Sequence, residues 1–366
     1  MNEESRYPPS PPEAKPTPEQ RHLMRRTVLI DGIAILFLAL AAAVYLAADA
    51  LLLVFACILF AVLLYELSAV LHRRLGWNRK LCLVIVVLAL VAIVGLGGWA
   101  MAPQISEQSA QLAKEIPASI ERLQQEVQRH PLLRRIAAEL PDPKQMTQSL
   151  SKMVPDAGLF FGGVLGAIGN VAIIIFVGIY FALSPDMYKK GAIKLVPKPK
   201  RERAAQVLDT IGNNLARWLV GKTISMLIVG IATSVGLTLL GVPLGLILGI
   251  IAGLLDFIPY VGPIIAGVPA VLIALSMGPD MALYVVLLFL AVQTLEGYVL
   301  QPLVEARAVE IPPALTIVMQ LIFGMLLGFA GVALATPLTA VLMVLVNMLY
   351  VEDILGDKPK KSDKGT

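Results

Sequence analysis

Asp256-Phe-Ile-Pro-Tyr-Val-Gly-Pro263 sets a carboxylate, two prolines and a glycine inside sequence otherwise apolar enough to sit in a bilayer. Lipid gives free backbone N–H and C=O groups no partner. Interrupted helix at that depth must therefore be buried in protein or line a wet cavity. Paired broken segments of this kind are how many transporters build a binding site, and an ionisable residue beside one is a functional candidate. Asp256, Pro259, Tyr260, Gly262 and Pro263 are thus the first candidates for binding a substrate or coupling ion.

The rest of the chain fits the same setting. It is 57% hydrophobic and 15% charged, where soluble domains carry about 25% charged residues. Apolar runs of spanning length, roughly 20 residues, occur at 28–46, 51–71, 81–101, 159–183 and 218–240. Interrupted apolar segments fill 244–350. The expected fold is all-α: a polytopic membrane protein of seven to eight spans that include two broken or re-entrant hairpins. Residues 1–24, rich in proline, read as a disordered cytoplasmic tail. The first apolar run reads as a retained span rather than a signal peptide. Residues 25–101 hold three spans, 158–350 the transport core and 351–366 a second cytoplasmic tail.

Basic residues orient the chain. Arg21, Arg25 and Arg26 precede the first span, Arg73, Arg74, Arg79 and Lys80 follow the second, and seven Lys or Arg between Lys189 and Arg203 follow the fourth. Basic loops stay inside, so both termini are expected in the cytoplasm of a bacterium, with the chain in its inner membrane. The basic run at 198–203 is explained by topology, without a nucleic-acid partner. The segment 102–157 then lies outside. Its apolar residues recur at helical spacing between Pro117, Pro131, Pro141 and Pro143, which predicts amphipathic helices serving as a cap, an oligomer contact or a gate. Residues 201–217 read as a short amphipathic helix at the inner interface, ending before Trp218.

Gly241, Gly245, Gly249 and Gly253 fall four apart, and Gly324 and Gly328 repeat the spacing. Such stripes let helices approach backbone to backbone, for packing or for sliding. A degenerate repeat offset by 69 aligns Pro243 with Pro312, Leu246 with Leu315, Gly262 with Gly331 and Ala266 with Ala335. Each copy would be a span followed by a hairpin, and the pair would be inverted.

Glu296 lies a turn or so inside the end of its span, with Gln293 one turn before it, and Lys222 is about as deep in another. A buried carboxylate needs a partner or a proton. Glu296 is either the charge partner of Lys222 or Arg217, or a proton or cation carrier. Asp256 is either a helix-end hydrogen-bonding group or a ligand. Asn170 and Gln320 are lesser candidates. No His, Cys and carboxylate cluster has metal spacing, and phosphate-loop and nucleophile-elbow motifs are missing. Hence no metal, no cofactor and no enzymatic activity are expected.

Trp218-Leu-Val-Gly221, Ile258-Pro-Tyr-Val-Gly-Pro263, Leu295-Glu-Gly297 through Gln301-Pro302, and Gly324 through Gly331 with Ala335-Thr-Pro337 together resemble the autoinducer-2 exporter family, the PerM-like permeases, over roughly 25–350. The resemblance implies a multi-pass inner-membrane transporter that forms homo-oligomers. Some members are associated with export of autoinducer-2, others with exchange of sodium or lithium for protons. Two departures stand out. The family's Leu-His-Pro triplet is replaced by Ile311-Pro-Pro313, and Lys222 stands where glutamine is common. Three functions remain open at this point. One is ion-coupled export of a small polar organic molecule by alternating access. The others are monovalent cation/proton antiport and a non-transporting membrane scaffold.

Overall fold

The computed structural model describes residues 46–93, 157–301 and 311–357, with short pieces at 31–32, 35, 95–97, 99, 102–103, 107–108 and 111. The tail 1–24, most of the span expected at 28–46, most of 102–157, the loop 302–310 and residues 358–366 lie outside the described residues. The chain divides into two compact units, 1–51 and 52–366. Of the first, residues 48–51 begin a helix that runs on into the second.

Helices make up the fold, and there is no strand among the described residues. They are α1 (Ala48–Leu75), α2 (Arg79–Gly97), α3 (Ala157–Leu183), α4 (Pro185–Lys194), α5 (Arg201–Leu239), α6 (Gly245–Leu255), α7 (Val261–Met277), α8 (Pro279–Leu295) and α9 (Pro313–Leu345). Wider π turns extend α8 over Glu296–Leu300 and α9 over Val346–Glu352. By length and composition alone five runs among the described residues could cross a bilayer, α9 with its break at Gly328 among them, and α3 with α4 gives a sixth. The sequence had predicted seven to eight. The first expected span lies outside the described residues. The helices α6 and α7, 11 and 17 residues long, reach only about 16 and 25 Å, short of a hydrocarbon core of about 30 Å. Large apolar side chains face outward, Met325 at 90% exposure among them. Lipid, not water, suits such a surface.

One expectation is corrected. Residues 201–217 are not a separate interfacial helix: α5 runs unbroken from Arg201 to Leu239. No proline interrupts it, and its glycines sit inside without ending it. The change in polarity at Trp218 marks a change of surroundings, not a helix end. The helix that turns aside is α4. Ser184 leaves helical geometry (φ −140°, ψ 55°) ahead of Pro185, and α4 departs from the end of α3 by 84°. Proline suits a first helical turn but cannot continue the one before it.

The short helix α6 lies against α5 along its glycines. A Cβ on Gly249 would sit 2.4 Å from Ser234 Cβ, and one on Gly253 2.7 Å from the Met226 carbonyl oxygen. Gly245 meets Thr238 in the same way, at 2.9 Å. Three of the four expected stripe glycines therefore do pack backbone to backbone. Gly241 does not. It is the turn residue after α5, with φ +72° and open space around it. Outside this contact, Gln108 Oε1 accepts the Ile247 N–H at 3.2 Å, which satisfies a donor in the first turn of α6 that no intrahelical group can reach.

The two repeat copies take matching forms. In the first, α6 ends at Leu255 and α7 starts at Val261. In the second, α9 is interrupted at Gly328 (φ 64°, ψ −151°). A Cβ on Gly324 would lie 2.7 Å from Val332 Cγ2, and one on Gly331 2.1 Å from the Phe323 carbonyl oxygen. Residues eight apart in a straight helix are separated by about 12 Å, so α9 folds back on itself at Gly328. Gly324 packs between the legs as expected, whereas Gly328 is the break rather than a packing glycine. Gly262 and Gly331, paired in the repeat, both press on the opposite leg.

Candidate functional site

The break between α6 and α7 is held on three sides. Asp256 ends α6, its N–H bonded to Ala252 O at 2.9 Å, so its carboxylate stands at the negative end of a helix and gains nothing from the dipole. Phe257 packs edge-to-face on Trp218 of α5, centroids 5.6 Å apart. Ile258 is buried. Tyr260 then takes φ 64°, ψ −52°, and Val261 N donates to Pro259 O at 2.7 Å. Those values describe a classical γ-turn, rare and strained for a residue with a side chain. Gln320 of α9 donates Nε2 to the same Pro259 oxygen at 2.9 Å. The second hairpin thus braces the strained turn of the first.

Beside this turn the ionisable residues converge. Lys222 projects from mid-α5. Its Nζ lies 2.9 Å from Glu296 Oε1 and 3.0 Å from Asp256 Oδ2. All three are buried, at 3%, 7% and 1% exposure for Lys222, Glu296 and Asp256. Ser225, one turn along α5, donates to Glu296 Oε1 at 3.1 Å. Glu296 is the first residue of the π turn that ends α8. Such turns often mark functional positions because they shift the phase of one side chain against its neighbours. The contact to Asp256 is an ion pair lacking hydrogen-bond alignment, and neither Asp256 oxygen has a hydrogen bond among the described residues. One ammonium therefore serves two carboxylates, and among the described residues the buried cluster is one positive charge short.

The expected site residues fall into two groups. Asp256, Glu296 and Lys222 meet. Pro259 contributes through its carbonyl, and Gly262 lets the two legs close, since a Cβ there would lie 1.8 Å from Leu255 O. Pro263 sits in the first turn of α7, half-buried, and Gln293 is half-buried a turn before Glu296. Tyr260 shapes the turn while its side chain stays 43% exposed. Arg217 is exposed on another side of α5, and Asn170 is also exposed; the partner that reaches both carboxylates is Lys222. Two participants were missed or underrated. Ser225 carried no signal beyond its spacing of three from Lys222. Gln320, a lesser candidate, is buried and bridges the hairpins, with its Oε1 unbonded among the described residues. No group of metal-ligating side chains occurs among them either.

Two cavities lie apart from the cluster. One of about 620 Å³ opens between α5 and both legs of α9, lined by Thr210, Asn214, Met319, Met343 and Asn347 among others. A groove of about 440 Å³ follows the glycine contact of α5 and α6. Neither is lined by Lys222, Asp256 or Glu296.

Comparison with known proteins agrees with this architecture. The sequence matches the family described as AI-2E family transporter over residues 34–350. It is 30% identical over 304 residues to "Putative transport protein YrrI" of Bacillus subtilis, covering 79% of this chain and 83% of that protein. It is 27% identical over 312 residues to "Putative transport protein YhhT" of Escherichia coli K12, covering 82% and 85%. It is 26% identical over 295 residues to "Putative permease PerM" of the same organism, covering 78% and 83%. With its membrane-length helices and braced broken hairpins, the chain belongs to the AI-2E family of membrane transporters.

Proposed function

We propose that this chain is a secondary transporter that exports a small polar organic molecule, autoinducer-2-like in size and polarity. An ion gradient would drive it through the cluster of Lys222, Asp256 and Glu296. The observation that supports this reading is the charge count: one buried ammonium faces two buried carboxylates. An uncompensated buried charge is costly, so the closed cluster favours uptake of one proton or one small cation. Because Asp256 lies in the break, Glu296 on α8 and Lys222 on α5, a change in occupancy alters the fit of three elements at once. Alternating access then follows if the first hairpin rocks on its glycine contact with α5. The protein works without enzymatic chemistry, as a homo-oligomer in the bacterial inner membrane with both termini in the cytoplasm.

Monovalent cation/proton antiport is the second reading. It is favoured by Asp256 Oδ1, a buried carboxylate oxygen with no partner among the described residues. Proton flux in tight proteoliposomes, followed with a pH dye after adding Na⁺, Li⁺ or K⁺, separates the two. Cation-triggered proton movement supports antiport, and its absence in competent vesicles supports organic export.

Both readings predict that Asp256→Asn and Glu296→Gln reduce transport to the level of empty vesicles. Assembly should survive, because Lys222 keeps one carboxylate in either variant. Size-exclusion profiles and flux measured on the same preparations check this. Wild-type flux in both variants removes the cluster from the coupling mechanism.

A further inference from the structure

We infer that α4 and the turn that follows it form a binding surface for anionic phospholipid headgroups. Between Ser184 and Arg203 there are seven basic residues and two acidic ones, Asp186 and Glu202. Three of the seven are engaged within the protein. Lys189 pairs with Asp209 of α5. Arg201 donates to the carbonyls of Val196 and Lys194, each at 3.0 Å. Arg203 binds Glu352, Asp353 and the Met348 carbonyl at the end of α9. The other four, Lys190, Lys194, Lys198 and Lys200, are exposed and make no ion pair among the described residues.

Geometry places these four lysines where lipid headgroups are. The helix α3 is of spanning composition, and α4 leaves it at 84°, so α4 runs along the membrane surface when α3 crosses it. Helical spacing sets Met187 between Lys190 and Lys194 on one side and Leu195 on the other. Met187 and Leu195 are 61% and 88% exposed. Exposed apolar side chains with lysines along one edge suit an interfacial helix, with the apolar groups in the acyl boundary and the ammonium groups at the phosphates. The turn Lys198–Lys200 adds two more cations beside it. Anionic headgroups supply the missing counter-charge. Through Lys189 with Asp209 and the Arg201 carbonyl contacts, this surface is fixed to α5, the helix that carries Lys222.

The test uses full-length protein in bilayers with spin-labelled phosphatidylglycerol or phosphatidylcholine as the probe. The fraction of motionally restricted probe is read by electron paramagnetic resonance. Wild type should select the anionic probe. The variant Lys190→Gln, Lys194→Gln, Lys198→Gln, Lys200→Gln should lose at least about fivefold of that selectivity, the factor expected for one engaged lysine. A control neutralising Arg74 and Lys80, basic residues elsewhere on the chain, should keep it. If the fourfold variant does not assemble, the pairs Lys190/Lys194 and Lys198/Lys200 are exchanged separately, and each should lose part of the selectivity. Equal binding of the two probes by wild type, undiminished selectivity in the lysine variants, or an equal loss in the control overturns the assignment.

Discussion

Lys222→Met is expected to cost about 3–5 kcal/mol of stability, the usual result of removing one partner from a buried ion pair. Asp256 and Glu296 are both buried and share the one ammonium. Without it, two carboxylates face each other with Ser225 as the only remaining donor described to either. They must then take up protons, admit water or push α6 and α8 apart. Thermal unfolding of the purified protein and the yield of monodisperse material report the loss. The informative comparison is Lys222→Met combined with Asp256→Asn and Glu296→Gln. Neutralising the carboxylates removes the uncompensated charge, and neutral replacement of buried ionic triads is often harmless to stability. The triple variant should therefore recover most of the stability while transporting nothing. Recovery of both would show that the cluster only holds the fold together. A single variant as stable as wild type would mean that the carboxylates do not depend on the ammonium for their charge balance.

Ionisable residues were legible in the sequence because charge in an apolar span is rare and expensive. Asp256, Glu296 and Lys222 stood out for that reason. Their convergence was less legible: Lys222 and Glu296 are 74 residues apart, and no local pattern fixes how α5 and α8 cross. The γ-turn was hidden by its own strain, since a left-handed residue is expected to be glycine and here it is Tyr260. Tertiary bracing by Gln320 overrides that preference. Glycine spacing marked a face of α6, without naming its partner, and Gly245, Gly249 and Gly253 of that face lie on α5, while Gly241 falls before the helix start. The spacing alone cannot tell a packed face from a turn. Polarity at Trp218 misled for a related reason, because it reports the surroundings of a helix and not its hydrogen bonding.

The hairpin break gives the second large effect. Gly262→Ala should abolish transport and cost about 3 kcal/mol, at or beyond the upper end of ordinary overpacking. The added Cβ would lie 1.8 Å from Leu255 O and 2.6 Å from its carbonyl carbon. These are backbone atoms at the end of α6, so no side-chain rotation relieves the clash. Leu255 O also accepts the Ile258 N–H at 2.9 Å, and separating the legs stretches that bond. The shift carries Asp256 with it, away from Lys222, and loosens the Pro259 carbonyl from Gln320. Gly331→Ala should behave alike, its Cβ meeting Phe323 O at 2.1 Å. By contrast, Gly267→Ala places its Cβ 3.5 Å from the Phe289 ring, an ordinary contact, and should change stability by less than about 1 kcal/mol. Unfolding temperatures for the three variants, measured in one detergent, decide the matter. If Gly262→Ala and Gly267→Ala unfold together, the legs are not in backbone contact at the break. The γ-turn would then lose its role as the rigid seat of Asp256. Separation in the expected order ties the fit of the two legs directly to the position of the carboxylate between them.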